Sequence, residues 1–265
     1  AFTMFTDHDG KYQLAALAES GFDPLARTTE FMLTEEAHHL FVGQTGMQRI
    51  IQRSAELFKQ DPNNDVRAQG GIDFDLIQRT INYWFTYSLD LFGGEISNNA
   101  ADFFGAGLKG RFREAKKYED HKAVTGTYAM PQVENGKLVT KDIPLRNAMN
   151  SVLRDEYIAD CEKALRKWNK VLETEGLELR LTLPSPRFHR HQGIYAGHTF
   201  NPAGELIDVD TFEANKDRWL LVPEDNDYLL SIMKPVYEPG KFANWIAPPL
   251  RGIEGQPQEF EYVRL

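Results

Sequence analysis

A five-residue turn, "SGFDP" at positions 20–24, constrains the fold of this 265-residue chain more than any other feature. Before it, "YQLAALAES" has a helical pattern that ends near Gly21, and glycine is common directly after a helix. After it, Asp23 is expected to cap a new helix with Pro24 in the first helical position, and that helix should continue to about Lys59. Two long helices joined by so short a turn are expected to pack antiparallel.

The rest of residues 1–175 also has the apolar spacing of helices. Further helices are expected at 72–92, 95–118 and 145–173. Residues 122–144 alternate weakly around Asn135-Gly136, a dipeptide typical of a tight β-hairpin turn. We therefore expect residues 1–175 to form a helical bundle portion with one small hairpin.

The character of the sequence changes at Gly176. The segment "LELRLTL" alternates as a strand does, "NPAGELIDV" predicts a turn followed by a strand, and ten of the thirteen prolines lie after residue 140. Residues 176–265 are therefore predicted to form a mixed α/β, loop-rich extension. The predicted fold class is mainly α with an irregular α+β C-terminal extension.

The composition narrows the possible chemistry and partners. A net charge of −9 argues against binding to nucleic acid or anionic lipid, and no apolar run is long enough to span a membrane, so a cytoplasmic protein is expected. Cys161 is the only cysteine, which excludes an internal disulfide and an iron–sulfur cluster held by thiolates. The sequence also begins without Met inside a helical pattern, which suggests a piece of a longer polypeptide.

The stretch "TEEAHHLFVG" (34–43) contains two overlapping carboxylate–imidazole pairs. On a helix, Glu36 and His39 fall on an apolar stripe, whereas Glu35 and His38 fall on a more polar one. We expect Glu36 and His39 to face the core, where a carboxylate beside an imidazole needs a cation or hydrogen bonds to compensate it. This i, i+3 pair is the arrangement used in carboxylate-bridged di-iron and di-manganese bundles.

The antiparallel helix pair adds a third candidate ligand. The midpoint between Asp7 and Glu36 lies in the predicted turn, which places the two carboxylates at the same height on facing helices. Asp9 passes nearly the same test, so the choice between the two aspartates stays open, as does an ordinary polar pair without a metal. The predicted metal ligands are Asp7, Glu36 and His39. Elsewhere the sequence contains no Glu-x-x-His or Asp-x-x-His, so the other half of a two-metal site must come from a preceding segment or a second copy.

The types of ligand indicate the metal. Carboxylate oxygens with imidazole suit iron or manganese better than copper or structural zinc. Gly43 and Gly46 lie one and two turns beyond His39, and they provide either space beside a metal or a close contact with another helix. Glu35 could hydrogen-bond a ligand histidine on a neighbouring helix or face solvent. The residue patterns identify no catalytic or cofactor-binding residues beyond these ligands.

Three other clusters are candidates for binding. His189, His191 and His198 could bind a metal or form loop hydrogen bonds, and the second role is the commoner one. Basic residues at two places could meet the phosphates of a coenzyme A tail or lie on a solvated face. These residues are Arg187 and Arg190 in one place and Lys109, Arg111 and Arg113 in the other.

Three segments carry a resemblance to a known family: "FTDHDGKYQLAALAESGFDPLARTTEFMLTEEAHHLFVG", "LPSPRFHRHQGIYAGHTFNPAGELI" and "EPGKFANWIAPPLRGI". On these segments the chain resembles the C-terminal part of the oxygenase components of benzoyl-CoA 2,3-epoxidases. The resemblance implies a ferritin-like bundle with two iron ions, of which Asp7, Glu36 and His39 would be ligands. The remaining ligands would lie in N-terminal helices that this sequence lacks.

The resemblance also implies a reaction and its partners. The chain would be part of a monooxygenase that uses dioxygen to epoxidise the aromatic ring of benzoyl-CoA, an aryl-CoA thioester. A separate NADPH-dependent reductase would supply the electrons. The alternatives are a di-iron oxygenase for another acyl-CoA, such as phenylacetyl-CoA, and an iron-binding bundle without catalysis.

Overall fold

The computed structural model describes residues 1–110 and 125–233, and this part of the chain is mainly helical, as predicted. The helices are α1 (Phe2–Ala18), α2 (Asp23–Gln60), α3 (Phe74–Leu91), α4 (Asn98–Gly105), α5 (Met149–Thr174), α6 (Val209–Trp219) and α7 (Pro223–Ile232). The strands are β1 (Thr127–Glu134) and β2 (Lys137–Pro144).

The predicted hairpin of α1 and α2 is present. Phe22, with an extended backbone, occupies the N-cap position of α2, so the prediction of Asp23 as the cap is wrong by one residue. Gly43 allows the helices to approach closely, since a Cβ atom there would lie 2.5 Å from the backbone nitrogen of Met4. The close-packing interpretation therefore holds for Gly43, whereas a Cβ atom on Gly46 would meet nothing within 4 Å.

One apolar core joins α1, α3, α5 and the C-terminal half of α2. Its fully buried side chains include Phe5, Ile51, Phe85 and Trp168, one from each of these helices. Phe5 lies edge-on to both Phe85 and Trp168, with 6.2 Å between ring centroids in each pair. Burying a side chain of this kind stabilises a fold by about 1.5–3 kcal/mol, so this core fixes the inner side of α1.

The β-hairpin predicted around Asn135-Gly136 is confirmed. β1 and β2 pair antiparallel over all eight residues of each strand. Asn135 and Gly136 have φ angles of 49° and 72°, which a two-residue hairpin turn requires. The Tyr195 hydroxyl donates to the Pro131 carbonyl oxygen at 2.7 Å and ties the hairpin to the loop before α6.

Residues 177–183, predicted as a strand, have no strand partner within the described ranges. Side-chain amides take the place of a neighbouring strand. Asn169 of α5 donates to the Leu181 carbonyl and accepts from its N–H, both at 2.9 Å. Gln78 of α3 makes the same two bonds with Thr182, at 2.8 and 2.9 Å. The alternation of leucines reflects packing of an extended segment on the helical core rather than a sheet.

Two further predictions are wrong in part. The strand expected in "NPAGELIDV" is reduced to a single bridge between Phe200 and Leu206. The helix expected at 95–118 is represented by α4, which ends at Gly105, because closely spaced glycines weaken a helix. Residues 111–124 lie outside the described ranges.

The described part of the C-terminal extension is more helical than predicted, because α6 and α7 follow the bridge. Asp225 of α7 pairs with Arg79 of α3 at 2.7 Å and with Arg67 at 3.1 Å. The division into domains at 1–175 and 176–265 stays a prediction. Among the described helices, none combines the length and the apolarity needed to cross a lipid bilayer.

Replacing Asn169 by Ala should lower the free energy of unfolding by about 1–3 kcal/mol, because the N–H and C=O of Leu181 lose their partners. Urea denaturation followed by circular dichroism measures the change. Asn226→Ala, at an exposed position of α7, is the control and should change the free energy by less than about 0.5 kcal/mol. Equal values for the two variants would contradict the role given to Asn169.

Candidate metal centre

Asp7 of α1 meets Glu36 and His39 of α2 where the two helices face each other. Nδ1 of His39 is 3.6 Å from Oδ2 of Asp7 and 3.9 Å from Oε2 of Glu36. Each residue offers one ligand atom, and these three atoms lie within 4.8 Å of one another. The structure thus brings together the three residues predicted from the sequence, in a group that could hold a metal ion.

The helical phase of α1 distinguishes the two candidate aspartates. Each residue rotates a helix by about 100°, so Asp9 projects from a different side of α1 than Asp7. Asp9 is buried and accepts hydrogen bonds from the Gln13 amide at 2.8 and 3.0 Å. Burial raises the pKa of Asp9 to about 7, although the bonds from Gln13 act in the opposite direction. Asp7, rather than Asp9, therefore faces Glu36.

The predicted burial of this face is only partly right. The side chains of Asp7 and Glu36 are 17% and 18% exposed, whereas that of His39 is 46% exposed. Further along the same stripe Gly43 is buried and Ile50 is exposed. The prediction that His39 faces the core is therefore wrong for the described chain, because no described helix covers its imidazole.

Asp7 and Glu36 are unfavourable as two neighbouring, partly buried negative charges, and a bound cation would relieve this. Burial raises the pKa of Asp7, and the nearby imidazole of His39 partly offsets this rise. Burial also raises the pKa of Glu36, and the negative charge of Asp7 raises it further. Among the described residues, no partner donates a hydrogen bond to the buried Oε2 of Glu36. An unpaired buried oxygen beside a second carboxylate and an imidazole fits a metal ion.

Gly10 belongs to the same site, although it was not among the residues predicted from the sequence. It lies three residues after Asp7 on α1, and a Cβ atom there would lie 3.4 Å from Oε1 of Glu36. A longer side chain at this position would press on the carboxylate. A glycine one helical turn from a predicted ligand, at a helical position that it weakens, is the signal that could have revealed it.

The donor set favours iron or manganese, since it combines hard carboxylate oxygens with an imidazole. Within residues 1–110 and 125–233, no second group of three metal-binding side chains is present. The described residues therefore contain one group that could hold a metal ion, and the two-metal site stays a prediction. Glu35 and His38, each one position before a candidate ligand, are both exposed and give matched controls for mutation.

The histidines at 189–198 form loop contacts. The rings of His189 and His191 lie 4.5 Å apart, and the ring of His189 stacks on that of Phe212. Nδ1 of His191 is 3.4 Å from Oδ2 of Asp90, and the same oxygen accepts from the His191 backbone N–H at 2.9 Å. Burial lowers the pKa of His189 to about 4, so it is neutral at pH 7. In the described chain neither of these residues nor His198 belongs to a metal-binding group.

Arg190 is not accessible to a phosphate. Its side chain is fully buried and pairs with Asp90 and, at 2.9 Å, with Glu95. Arg187 donates to the carbonyl oxygen of Gly204 at 3.0 and 3.3 Å. The prediction of a coenzyme A contact at Arg190 is therefore wrong, because its guanidinium neutralises two buried carboxylates.

The second predicted basic patch stays a prediction. Lys109 is partly buried, which lowers its pKa, while the negative charge of Asp9 raises it. Arg111 and Arg113 lie outside the described residues, as does the segment 238–253 that carries part of the family resemblance.

The fold and this group of residues define a class: a mainly helical protein with a carboxylate–imidazole group suited to a metal ion on an antiparallel helix pair. The chain is 47% identical over 266 aligned residues to "Benzoyl-CoA oxygenase component B" of Aromatoleum evansii. The alignment covers 99% of this chain and 56% of that relative, so the chain spans little more than half of the relative's length. No family model matches the chain. The similarity confirms the predicted resemblance to a benzoyl-CoA oxygenase component.

Replacing Glu36 by Gln should stabilise the metal-free protein by roughly 0.5–1 kcal/mol, because it removes a buried negative charge beside Asp7. Thermal unfolding in the presence of a chelator measures this effect. Added Fe(II) should raise the unfolding temperature of the wild type, since ligands that bind only the folded state stabilise it, and should not raise that of the variant. Equal stabilisation of both by Fe(II) would contradict the assignment of Glu36 as a ligand.

Proposed function

We propose that this chain is part of a di-iron monooxygenase subunit that epoxidises the aromatic ring of benzoyl-CoA. The group of Asp7, Glu36 and His39, with its unpaired carboxylate oxygen, carries the proposal. The geometry argues for a metal, and the name of the relative argues for benzoyl-CoA as the substrate.

The proposed reaction requires a redox-active metal. Asp7, Glu36 and His39 would hold part of the iron centre, and iron bound there would supply the activation of dioxygen. In overall balance, benzoyl-CoA, dioxygen, NADPH and one proton give the ring epoxide, NADP⁺ and water. A separate NADPH-dependent reductase would deliver the two electrons, which agrees with the word "component" in the relative's name. We also propose a cytoplasmic location for this system.

A row of apolar side chains, all exposed except the half-buried Trp84, lies on α3 and at the start of α1. We call it the aromatic row. Its members are Phe2, Tyr83, Trp84, Tyr87 and Leu91. Phe2 of α1 lies edge-on to Trp84 of α3 with 5.4 Å between centroids, and Tyr83 stacks on Tyr87 at 6.2 Å. The row therefore extends along α3 from the start of α1.

On the other side of α1, α2 exposes Phe31, Met32 and Val42. Asp7 on α1 thus lies between two sets of exposed apolar side chains, and apolar surfaces of this kind mark interfaces. We assign this face to ligand-bearing helices of the same protein, from the part of the relative's length that this chain does not cover. Such helices would complete a ferritin-like bundle, supply the remaining ligands and exclude water from the centre.

The test compares two matched pairs of variants in the complete protein. Glu36→Ala and His39→Ala should reduce the iron content, measured by plasma mass spectrometry, and should lower NADPH-dependent epoxide formation by roughly a hundredfold or more. Glu35→Ala and His38→Ala remove the same side-chain types from exposed neighbouring positions. These controls should retain their iron and turn over within about threefold of the wild type.

Other outcomes would change the proposal in defined ways. Full turnover by Glu36→Ala would overturn it. Iron uptake without coupled consumption of NADPH and dioxygen would indicate an iron-binding bundle without catalysis. A preference for phenylacetyl-CoA in competition assays would keep the di-iron chemistry and replace the substrate.

A further inference from the structure

We infer that a groove bordered by α1, α2 and α5 is the docking surface for the acidic face of the electron-donating partner, an inference that rests on the proposed function. Two adjoining cavities of about 590 and 790 Å³ form the groove. Both are lined by Lys163 and Lys167 of α5, so they make one continuous depression, which we call the basic groove.

The basic groove carries an excess of positive charge on a chain whose net charge is −9. Its basic residues are Lys11, Lys163, Arg166, Lys167 and Lys170, and its acidic residues are Asp160 and Glu175. Asp160 pairs with both Lys11 and Lys163, at 2.9 and 2.7 Å, and Glu175 pairs with Lys59 at 2.6 Å. The acids of the groove are therefore already neutralised.

Two of the basic residues have acidic neighbours on the outer face of α5. Arg166 lies 3.7 Å from Glu162, and Lys170 lies 3.3 Å from Glu173. Exposed pairs of this kind contribute little to stability, so a partner's carboxylates can compete for these cations.

An apolar strip lies beside the positive charges. Leu33, Ala37, Leu40 and Phe41 of α2 line the groove, and the Phe41 side chain is 67% exposed. An apolar centre with an aromatic anchor and a charged margin is the usual anatomy of a protein–protein interface. The groove thus combines an apolar strip with a positively charged margin, and an acidic protein partner could contact both.

The basic groove lies directly behind the candidate metal centre. Each candidate ligand is followed in sequence by a residue of the groove lining: Asp7 by His8, Glu36 by Ala37 and His39 by Leu40. Successive helical residues point to different sides of a helix, so the centre and the groove occupy different sides of the same helix pair. Their separation is on the order of one helix diameter, about 10 Å.

The contact between α1 and α2, which separates the groove from the candidate centre, is packed too tightly for a small molecule to pass. At Gly43 the backbone of α2 leaves no room for a Cβ atom beside Met4, and at Gly10 the backbone of α1 packs on the Glu36 carboxylate. Substrate atoms cannot pass from the groove to the centre through this contact. An electron can cross it, because electron transfer needs no atom to move through the protein. This difference favours an electron donor over the substrate as the occupant.

The exposure of the cations favours a protein over a small anion. The side chains of Lys163, Arg166 and Lys170 are 64%, 65% and 72% exposed. Exposed charges steer a large partner of opposite charge, whereas small anions are usually held by fixed, bidentate donors. In the transfer step the partner is oxidised, the iron proposed for the centre is reduced, and no covalent bond forms or breaks.

The test measures binding of the NADPH-dependent reductase to the full-length protein that contains this chain. Arg166→Glu with Lys167→Glu should weaken binding roughly ten- to hundredfold at low salt, since the charges that attract the partner are reversed. Lys137→Glu with Arg218→Glu reverses two exposed charges on β2 and α6 and should leave affinity within about threefold of the wild type. The difference should shrink as salt screens the charges.

A charge-preserving variant and a second readout separate docking from folding and from chemistry. Arg166→Lys with Lys167→Arg should bind as the wild type does, and all variants should share its unfolding temperature. With NADPH and the reductase, the charge-reversed variant should form product more slowly. With dithionite as the reductant, its yield in a single turnover should equal that of the wild type.

Unchanged reductase affinity in the charge-reversed variant would overturn the inference. So would a groove that binds coenzyme A or inorganic pyrophosphate through Arg166 and Lys167 while reductase binding stays intact. If the wild type forms no epoxide with either reductant, yet reductase binding still depends on these two residues, the docking surface is supported and the proposed function alone fails.

Discussion

The close contact between α1 and α2 is the constraint on which the candidate site depends. At Gly43 the backbones approach so closely that no side chain fits, and at Gly10 the Glu36 carboxylate lies against the opposite helix. These contacts set the register that places Asp7 beside Glu36. A shift of one residue along α1 would rotate the ligand position by about 100°, which would separate the carboxylates.

Apolar packing elsewhere in the core offsets the free-energy cost of placing two carboxylates side by side. Phe5 of α1 packs on Phe85 and Trp168, so the inner side of α1 is fixed by apolar contacts with α3 and α5. Its other side can then carry Asp7 next to Glu36, although burial and mutual repulsion raise the pKa of Glu36. A site that lowers stability in the absence of a cation, held by a core that does not depend on it, fits the trade of stability for function that functional sites often show.

The sequence predicts the local features well because they depend on the chain itself. Helical period and the short turn at 20–24 are enough to predict that Glu36 and His39 meet an aspartate of the facing helix, but the choice of Asp7 over Asp9 needed the structure. Asn135-Gly136 is enough to predict the hairpin. Features that depend on which surfaces meet are not predictable in this way. The alternation in "LELRLTL" suits a strand and an extended segment equally, and only the amides of Asn169 and Gln78 decide between them. The burial of Arg190 likewise depends on acids about a hundred residues away in the chain.

The exposure of His39 could not be predicted from the sequence either, and it bears on how the proposed enzyme would work. An apolar stripe predicts that a face is covered but does not identify what covers it. In the described chain the candidate centre is open to solvent at His39, while the basic groove lies on another side of the same helix pair. If helices of the same protein complete the centre on its open side, the groove remains accessible to a partner from outside. Substrate and electrons would then reach the iron from different sides, and the packed contact at Gly43 would keep the two paths apart.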